Sequence, residues 1–416
     1  MIDLCNQESS ALLTIDEALA RIKEAIQPIT ESEKVDLKNA LGRVLSESVY
    51  SPINIPHERN AAMDGYAFSS KDIDPERPFT LILAGTSWAG NPFKGKLLPG
   101  QCIRIFTGAV LPEQADSVIM QEQVQADGQY IKYPVNTPIR KNVREIGEDI
   151  KQGSLLCAHP KKLNSIDLGL LASAGIGELS VKRPLKVALI STGDELMALG
   201  HQLESGKIYD SNRYILSGLL TDARYSITDM GVIADNRQLL KHGFVTAAKN
   251  HDVIITTGGA SVGEADYVRE ILESCGEVNF WKIAIKPGKP LAFGKIGSCY
   301  FFGLPGNPVA VIVTFQFIVA SALELLTGEG KANPVQLMAT CKMALKKSPG
   351  RQEYQRGILT QSETGEFFVT SSGMQGSNML SSVSNANCFI VLPAECKGVQ
   401  AGDRVRVERI HGGESI

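Results

Sequence analysis

Two early segments of the chain show the apolar spacing of an amphipathic helix. The first begins at Thr14-Ile-Asp-Glu17, which fits a capping box, and it predicts a helix from about residue 15 to residue 27. The second, Ser165–Ser173, ends before Gly175, a residue suited to the left-handed position that follows a helix. The apolar face of the first helix comprises Ile15, Leu19, Ile22 and Ile26.

Residues 45–150 lose this periodicity and show short β-rich runs instead. Turns rich in Gly, Pro and Asn separate the runs. The pattern predicts a small β-rich domain whose strands include 80–83, 102–106, 117–122 and 129–133.

From Pro184 onward, apolar strands alternate with amphipathic helices. This alternation predicts a doubly wound α/β domain with a mostly parallel sheet. The predicted strands are 186–191, 227–233, 252–257, 278–285 and 299–304. The predicted helices are 211–223, 237–248, 265–274 and 309–326.

After Gly330 the helical patterns stop, and strand-like runs predict a small C-terminal β-barrel or sandwich. These runs are 335–345, 354–361, 366–371, 388–392 and 403–410. The fold class is therefore predicted as α/β plus β. The predicted domains are a helical stalk (1–50 with 150–183), a β-rich domain (51–149), an α/β domain (184–330) and a β-barrel domain (331–416).

Composition indicates an ordinary soluble protein. Of the 416 residues, 43% are hydrophobic and 21% are charged, and the net charge of −3 argues against a non-specific nucleic-acid binder. The most apolar stretch, 308–320, is short for a membrane span, so we interpret it as a buried core helix. The first ten residues lack the basic and apolar regions of a secretory signal. We expect neither nucleic acid nor membrane as a partner.

The spacing of cysteines and histidines limits which kinds of metal site we expect. The eight cysteines form no CxxC pair and the six histidines form no HExxH motif. We therefore expect reduced thiols in a cytoplasmic protein. Any bound metal should be a hard cation held by oxygen atoms, such as Mg²⁺.

Five loops follow the strands of the predicted α/β sheet, and ligands bind beyond the carboxyl ends of such strands. The loops supply glycines, prolines, carboxylates and two lysines. Their convergence at one edge of the sheet predicts a site for an anionic ligand. The loops begin at Thr192, Ala234, Gly258, Lys286 and Pro305.

Three of these loops allow a functional and a structural interpretation. Gly258-Gly259 lets backbone N–H groups approach a phosphate closely, although an ordinary tight turn also fits. Lys286 and Lys289 lie in a proline-stiffened loop and would hold an anion, although a solvated basic loop also fits. Pro308 suits the first turn of a helix, whereas a structural role explains Pro305 less well.

Carboxylates provide the remaining candidates. Glu195, Asp235 and Asp266 fall on three loops of the same edge, where together they suit Mg²⁺, while each alone also fits a helix cap. In the β-rich region, Asp64-Gly65 and Thr107-Gly108 are turn signals and, on composition alone, nothing more.

Seven motifs in fixed order resemble the molybdopterin molybdenumtransferase (MoeA) family and the related domain of gephyrin. The resemblance covers residues 10–410, and one of the motifs is ten residues long. The motifs are Ala-Met-Asp64-Gly-Tyr, Arg-Ile-Phe-Thr107-Gly, Gly-Glu-Asp149, Ser-Thr-Gly-Asp-Glu195-Leu, Gly-Gly-Ala-Ser-Val-Gly-Glu-Ala-Asp266-Tyr, Ile-Lys-Pro-Gly-Lys-Pro and Gly-Leu-Pro305-Gly-Asn-Pro308.

The resemblance implies an enzyme that inserts molybdate into adenylylated molybdopterin, with hydrolysis of the phosphoanhydride, release of AMP and a requirement for Mg²⁺. It also implies an elongated homodimer of four-domain subunits. The active cleft would lie between the α/β domain of one subunit and the β-rich domain of the other. The implied partners are the upstream molybdopterin adenylyltransferase and the downstream apo-molybdoenzymes.

The resemblance also assigns roles to individual residues. The catalytic positions are Asp64, Thr107, Asp149, Glu195, Asp235, Asp266, Pro305 and Pro308, with Glu195 and Asp235 as metal ligands. The substrate-binding positions are Gly258, Gly259, Ser261, Lys286, Lys289, Arg351, Arg356 and Ser377. Both arginines lie in the motif Gly350-Arg-Gln-Glu-Tyr-Gln-Arg-Gly357.

Two departures and two alternatives bear on this assignment. The Ala-Ser-Val-Gly that follows Gly259 differs from the Gly-Gly-Thr-Gly of the adenylyltransferases, which favours the metal-inserting enzyme. Asn236 follows Asp235 where many family members carry a second acid, so the metal ligands stay open. The alternatives are a nucleotide-processing enzyme that shares the α/β domain and a gephyrin-like binding scaffold.

Overall fold

The computed structural model describes residues 12–258, 267–329 and 336–410. It shows an elongated multidomain arrangement of mixed α/β and β-rich parts. The predicted candidates Gly259, Ser261 and Asp266 lie outside the described residues.

The first helix, α1 (Ile15–Ala25), confirms the predicted capping box. The Glu17 backbone N–H donates to Thr14 Oγ1 (3.2 Å), and the Thr14 N–H donates back to Glu17 Oε2 (2.7 Å). Its apolar face packs against the core of the α/β region. The elements that follow are β1 (Ser32–Asp36), β2 (Val49–Tyr50), β3 (Asn60–Ala61), β4 (Gly65–Phe68), β5 (Phe79–Ser87), β6 (Gln101–Ile105), β7 (Ser117–Met120), β8 (Gln125–Asp127), β9 (Tyr130–Tyr133), β10 (Val143–Arg144), β11 (Leu155–Cys157), α2 (Ser165–Ser173) and β12 (Glu178–Lys182).

Six of these strands form the β-rich sheet, in the order β7-β4-β6-β5-β9-β8. The sequence predicted four of them, but it assigned a turn to Asp64-Gly65, whereas Gly65 begins β4. A Cβ on Gly65 would lie 1.8 Å from the Ile119 carbonyl oxygen, so glycine permits the close pairing of β4 with β7.

Between this sheet and the α/β region lies a small stalk. Two strand pairs, β1–β12 and β2–β11, enclose an apolar cluster with α2. The stalk is tied to the α/β region by a partly buried ion-pair group: Lys162 Nζ lies 2.7 Å from Asp222 Oδ2, and Arg224 Nε lies 2.9 Å from Asp222 Oδ1.

The α/β region contains a six-stranded sheet in the order β16-β13-β17-β21-β20-β18. Of these six strands, β20 alone runs opposite to the other five, so the carboxyl ends of those five share one edge. The elements are β13 (Leu185–Thr192), β14 (Leu196–Met197), β15 (Ile208–Tyr209), α3 (Asn212–Leu219), β16 (Tyr225–Ile233), α4 (Arg237–Asn250), β17 (Val253–Thr257), α5 (Tyr267–Cys275), β18 (Glu277–Lys282), β19 (Ile285–Lys286), β20 (Pro290–Ile296) and β21 (Cys299–Leu304).

The predicted strand 278–285 is two elements in the structure. Strand β18 ends at Lys282, and the two residues of β19 pair with a strand of the C-terminal region instead. Strand β20 was not predicted, because no element was assigned between residues 286 and 298.

One long helix closes the α/β region. It runs through α6 (Pro308–Thr314), a π-helical segment (Phe315–Val319) and α7 (Ala320–Thr327), and it ends at Gly328 in the left-handed conformation (φ 76°). The helix is long and apolar enough to cross a membrane, but 72% of its most apolar window is buried inside the protein. This burial supports its interpretation as a core helix.

The C-terminal strands form a closed five-stranded barrel, which decides between the predicted barrel and sandwich. The strand order is β23-β24-β22-β26-β25, and pairing of β25 with β23 closes it. The elements are β22 (Leu337–Cys341), β23 (Gln352–Gln361), β24 (Phe367–Ser371), α8 (Leu380–Ser384), β25 (Cys388–Leu392) and β26 (Arg404–Arg409). The four-domain boundaries predicted above stay a prediction.

Candidate active site

A pocket of about 380 Å³ lies where the α/β region meets the barrel. Its lining combines loops from the carboxyl edge of the sheet with the start of β23 and the segment before α8. Six predicted site residues line it: Lys286, Lys289, Pro305, Arg351, Arg356 and Ser377.

Parallel pairing of β19 with β23 creates this junction. The register places Lys286 opposite Glu353, and Lys286 Nζ lies 3.2 Å from Glu353 Oε2. Glu353 is buried, with 5% of its surface exposed, and it also accepts a hydrogen bond from Gln355 Nε2 (3.0 Å). Glu353 was not predicted as a site residue, because nothing in the sequence shows that it would face Lys286.

Arg356 is bonded mainly into the barrel. Its guanidinium donates to Ser382 Oγ (3.0 Å) and to the carbonyls of Met374 (3.1 Å) and Gly376 (3.0 Å). Burial lowers the pKa of Arg356 to about 10, so the guanidinium still carries its charge at neutral pH. Arg356 therefore fixes the segment that carries Ser377, while Lys286, Lys289 and Arg351 keep more exposed surface.

The two prolines frame a loop that supports one wall of the pocket. Pro305 is buried directly after β21, and Pro308 is the first residue of α6. The Val309 N–H donates to the Ser377 carbonyl (3.2 Å), which ties the helix start to the barrel. Asn212 holds the loop from the other side, because its Nδ2 donates to the Gly306 carbonyl (2.7 Å).

Asn212 was not among the predicted site residues. It is buried, with 8% of its surface exposed, and within the described residues its Oδ1 has no hydrogen-bond partner. Its place as the first residue of α3, directly after Asp210-Ser211, could have drawn attention to it as a helix-start residue.

Gly258 lies where two strands of the sheet end side by side. It has a φ of 86°, and a Cβ there would lie 2.2 Å from the Thr192 carbonyl oxygen. A Cβ on Gly306 would lie 3.9 Å from the Gly258 Cα, so the two glycine loops approach each other closely. This open backbone suits close approach of a phosphate.

Three carboxylates crowd the neighbouring part of the edge. The Asp235 N–H donates to Asp194 Oδ1 (3.1 Å), and burial, then Asp194 and Glu195, raise the pKa of Asp235. A Cβ on Gly193 would lie 2.5 Å from Glu195 Oε2, so this carboxylate folds back over the loop. Asp194 was not predicted as a site residue.

The carboxylate oxygens of this edge suit a hard cation. Among the residues that the structure describes, no three Asp, Glu, His or Cys side chains gather at metal-binding distance. Crowding of Asp235 with Asp194 and Glu195 would be relieved by a bound cation, and carboxylate oxygens are the ligands that Mg²⁺ prefers.

The predicted residues of the β-rich region form a separate group. The Thr107 N–H and hydroxyl both donate to Asp64 Oδ1, at 2.8 and 2.7 Å, and these bonds lower the pKa of Asp64. The Asp149 N–H donates to the Ile55 carbonyl (3.1 Å), and its side chain is exposed. Asp64, Thr107 and Asp149 do not line the pocket at the junction.

Three regions of known protein families together match nearly the whole chain. Residues 13–175 match the MoeA N-terminal region (domain I and II). Residues 188–325 match the probable molybdopterin binding domain, and residues 338–410 match the MoeA C-terminal region (domain IV). The molybdopterin molybdenumtransferase of Haemophilus influenzae is 43% identical over 95% of this chain and 98% of its own length. The chain belongs to the molybdopterin molybdenumtransferase (MoeA) family.

Other MoeA-family relatives agree with this assignment. The molybdopterin biosynthesis MoeA protein of Pyrococcus horikoshii has a similar structure, with a TM-score of 0.82, 29% identity and coverage of 95% of this chain and 99% of its own. Gephyrin of Dictyostelium discoideum is 34% identical over 94% of this chain but only 61% of its own length. The MoeA-family chain is thus an enzyme of molybdenum cofactor biosynthesis.

Proposed function

We propose that this chain inserts molybdate into adenylylated molybdopterin and releases AMP as the phosphoanhydride is hydrolysed. The observation that supports the proposal most is the junction pocket, where three partly exposed cations face a space of about 380 Å³. A compact tetrahedral oxyanion fits a pocket of this charge and size. The three cations are Lys286, Lys289 and Arg351.

Charge neutralisation is the main task of such a site. Molybdate and a phosphoanhydride are both multiply anionic, so bringing them together costs electrostatic energy that fixed cations offset. Arg351 offers a planar fork for oxyanions, whereas Lys286 and Lys289 act as point charges. Glu353 holds Lys286 at the pocket wall and offsets one of these positive charges, which leaves an excess of positive charge for an oxyanion.

Mg²⁺ is part of the proposal, and Glu195 and Asp235, with Asp194 beside them, are the residues that would hold it. When bound, the cation would polarise the phosphoanhydride. The open backbone at Gly258 would receive the phosphates next to this group. Asp266 belongs to the same proposed site, outside the described residues.

The β-rich region completes the proposed site from a second subunit. Two hydrogen bonds from Thr107 keep Asp64 ionised and fixed. In a homodimer whose cleft lies between the α/β domain of one subunit and the β-rich domain of the other, Asp64, Thr107 and Asp149 would face the carboxyl edge of the sheet. We place the enzyme in the cytoplasm, between the adenylyltransferase that supplies its substrate and the apo-molybdoenzymes that receive its product.

The direct test supplies the purified protein with adenylylated molybdopterin, molybdate and Mg²⁺. We expect release of AMP that depends on molybdate, and activation of an apo-molybdoenzyme by the product. Lys289→Met should abolish both, whereas Lys38→Met, at an exposed site in the stalk region, should leave both unchanged. A wild-type protein that binds the substrate but releases no AMP would refute the proposal.

A further inference from the structure

Four planar side chains form a ladder at one end of the β-rich sheet. Tyr66 and Arg104 are register partners on β4 and β6, and the Arg104 guanidinium carbon lies 4.9 Å from the Tyr66 ring centroid. The same carbon lies 5.0 Å from the Phe106 centroid. Trp88 stacks on Phe106, with 4.0 Å between the centroids and 10° between the planes. The order is therefore ring, cation, ring, ring.

The ladder is open at Trp88. Phe106 covers one face of the indole, yet 50% of the Trp88 surface is exposed. A tight hairpin holds the residue in place: the Trp88 N–H donates to the Asn91 carbonyl and the Asn91 N–H donates to the Trp88 carbonyl, both at 3.0 Å. Gly90, with a φ of 78°, forms the turn of this hairpin. The exposed indole is therefore preorganised rather than free to collapse onto the sheet.

This open end adjoins the proposed catalytic pair of the β-rich region. Thr107, which donates twice to Asp64, follows Phe106 directly in the chain. The hairpin packs against the same turn, because a Cβ on Gly108 would lie 4.0 Å from Ala89 Cβ. A group stacked on Trp88 would thus lie at the same end of the sheet as Asp64 and Thr107.

We propose that the exposed face of Trp88 binds a planar heteroaromatic ring of the substrate. This inference rests on the proposed function, in which the substrate carries two such rings, an adenine and a pterin, at either end of its phosphates. Stacking on an aromatic side chain is tolerant of ring identity, since each of these rings offers a π-face. The ladder beneath Trp88 fixes the position of the exposed indole face. A substrate ring bound on this face would therefore hold the attached phosphates in a defined position.

The first test uses the emission of Trp88 in the full-length protein. The chain has two tryptophans, so Trp281→Phe leaves Trp88 as the only one. We expect saturable quenching by AMP if the adenine stacks there, and by 6-hydroxymethylpterin if the pterin does. Either result supports the proposal and identifies the ring. If Trp281→Phe does not fold, the difference between wild type and Trp88→Phe gives the same signal.

Absence of quenching by both compounds would overturn the proposal. So would a Trp88 emission that acrylamide cannot quench in the unliganded protein, because a partner surface would then cover the indole.

The second test separates binding from chemistry. Trp88→Ala should raise the KM for the adenylylated substrate about tenfold or more, and Trp88→Phe should restore most of the affinity. The turnover number should change little, since Trp88 contacts the ring rather than the reacting atoms. Tyr130→Ala is the matched control, as Tyr130 is an aromatic residue of the same sheet with 47% exposure.

An unchanged KM in Trp88→Ala, with AMP release intact in wild type, would refute the ring site alone. Loss of AMP release in wild type would refute the proposed function itself.

Discussion

Lys286 and Glu353 face each other across the junction between the α/β region and the barrel, with 3.2 Å between Nζ and Oε2. Parallel pairing of β19 with β23 sets this relationship. It joins a cation from a loop of the sheet edge to a carboxylate buried in the barrel wall. The candidate pocket thus depends on correct packing of two regions that are far apart in the chain.

Glu353→Ala should destabilise the protein. Lys286 and Gln355 both lose a buried acceptor, and we expect the free energy of unfolding to fall by about 1–3 kcal/mol. Urea unfolding measures this change. Glu363→Ala, at an exposed position of the same region, is the control and should stay within about 0.5 kcal/mol of wild type. Equal stability of both variants would show that the Lys286–Glu353 pair does not hold the junction together.

Gly258→Ala should destabilise the protein more than the strain of a left-handed backbone alone would. The new Cβ would meet the Thr192 carbonyl oxygen at 2.2 Å, in addition to a left-handed φ of 86°. Gly200→Ala is the matched control, because Gly200 has a φ of 87° and nothing within 4 Å of a Cβ. We expect about 1–3 kcal/mol of strain in the control and a larger loss in Gly258→Ala. Indistinguishable melting curves would argue against close packing of the two strand ends.

Asp222→Asn tests the connection between the stalk and the α/β region through its pH dependence. Burial alone would raise the pKa of Asp222, but hydrogen bonds from Arg224 and Lys162 outweigh it and lower the pKa to about 2. A lowered carboxyl pKa gives stability that is present above 3.8 and is lost as the pH falls towards 2. Wild type should therefore be about 2 kcal/mol more stable than the variant at pH 6. A stability difference between wild type and Asp222→Asn that is the same at pH 6 and pH 2 would contradict this expectation.

The α/β core and the barrel strands were largely predictable because their apolar periodicity is strong. The Thr14–Glu17 capping box and the long helix that begins at Pro308 were predicted close to their observed bounds. The short pairs β1–β12 and β2–β11 were not, since a few half-exposed residues give little periodic signal. Gly65 was predicted as a turn residue. Its role in the structure is a close approach to Ile119, and such a tertiary contact is not visible in the local sequence.

For the candidate site too, features set by local sequence pattern were predictable, whereas features set by tertiary contacts were not. The parallel topology alone predicts that the loops at the sheet edge converge. The buried carboxylate of Glu353, the loop anchor Asn212 and the exposed indole of Trp88 depend on which distant residues pack beside them. Arg356 was predicted to bind substrate, but its barrel contacts become visible only in three dimensions.

Asp235→Asn tests the proposed Mg²⁺ site. A cation bound there would relieve the crowding of Asp235 with Asp194 and Glu195, so millimolar Mg²⁺ should raise the melting temperature of wild type. The variant should gain much less, while Asp127→Asn, an exposed acid of the β-rich sheet, should respond like wild type. The same Mg²⁺ response in wild type and in Asp235→Asn would exclude this edge as the cation site.

A mixing experiment tests most directly whether two subunits share the active site. Asp64→Asn and Lys289→Met should each be inactive alone. In a homodimer whose sites combine Asp64 of one chain with Lys289 of the other, an equimolar refolded mixture should regain about a quarter of wild-type AMP release, because half of the dimers are mixed and each mixed dimer has one intact site. A mixture that exchanges subunits but stays as inactive as its components would contradict the account.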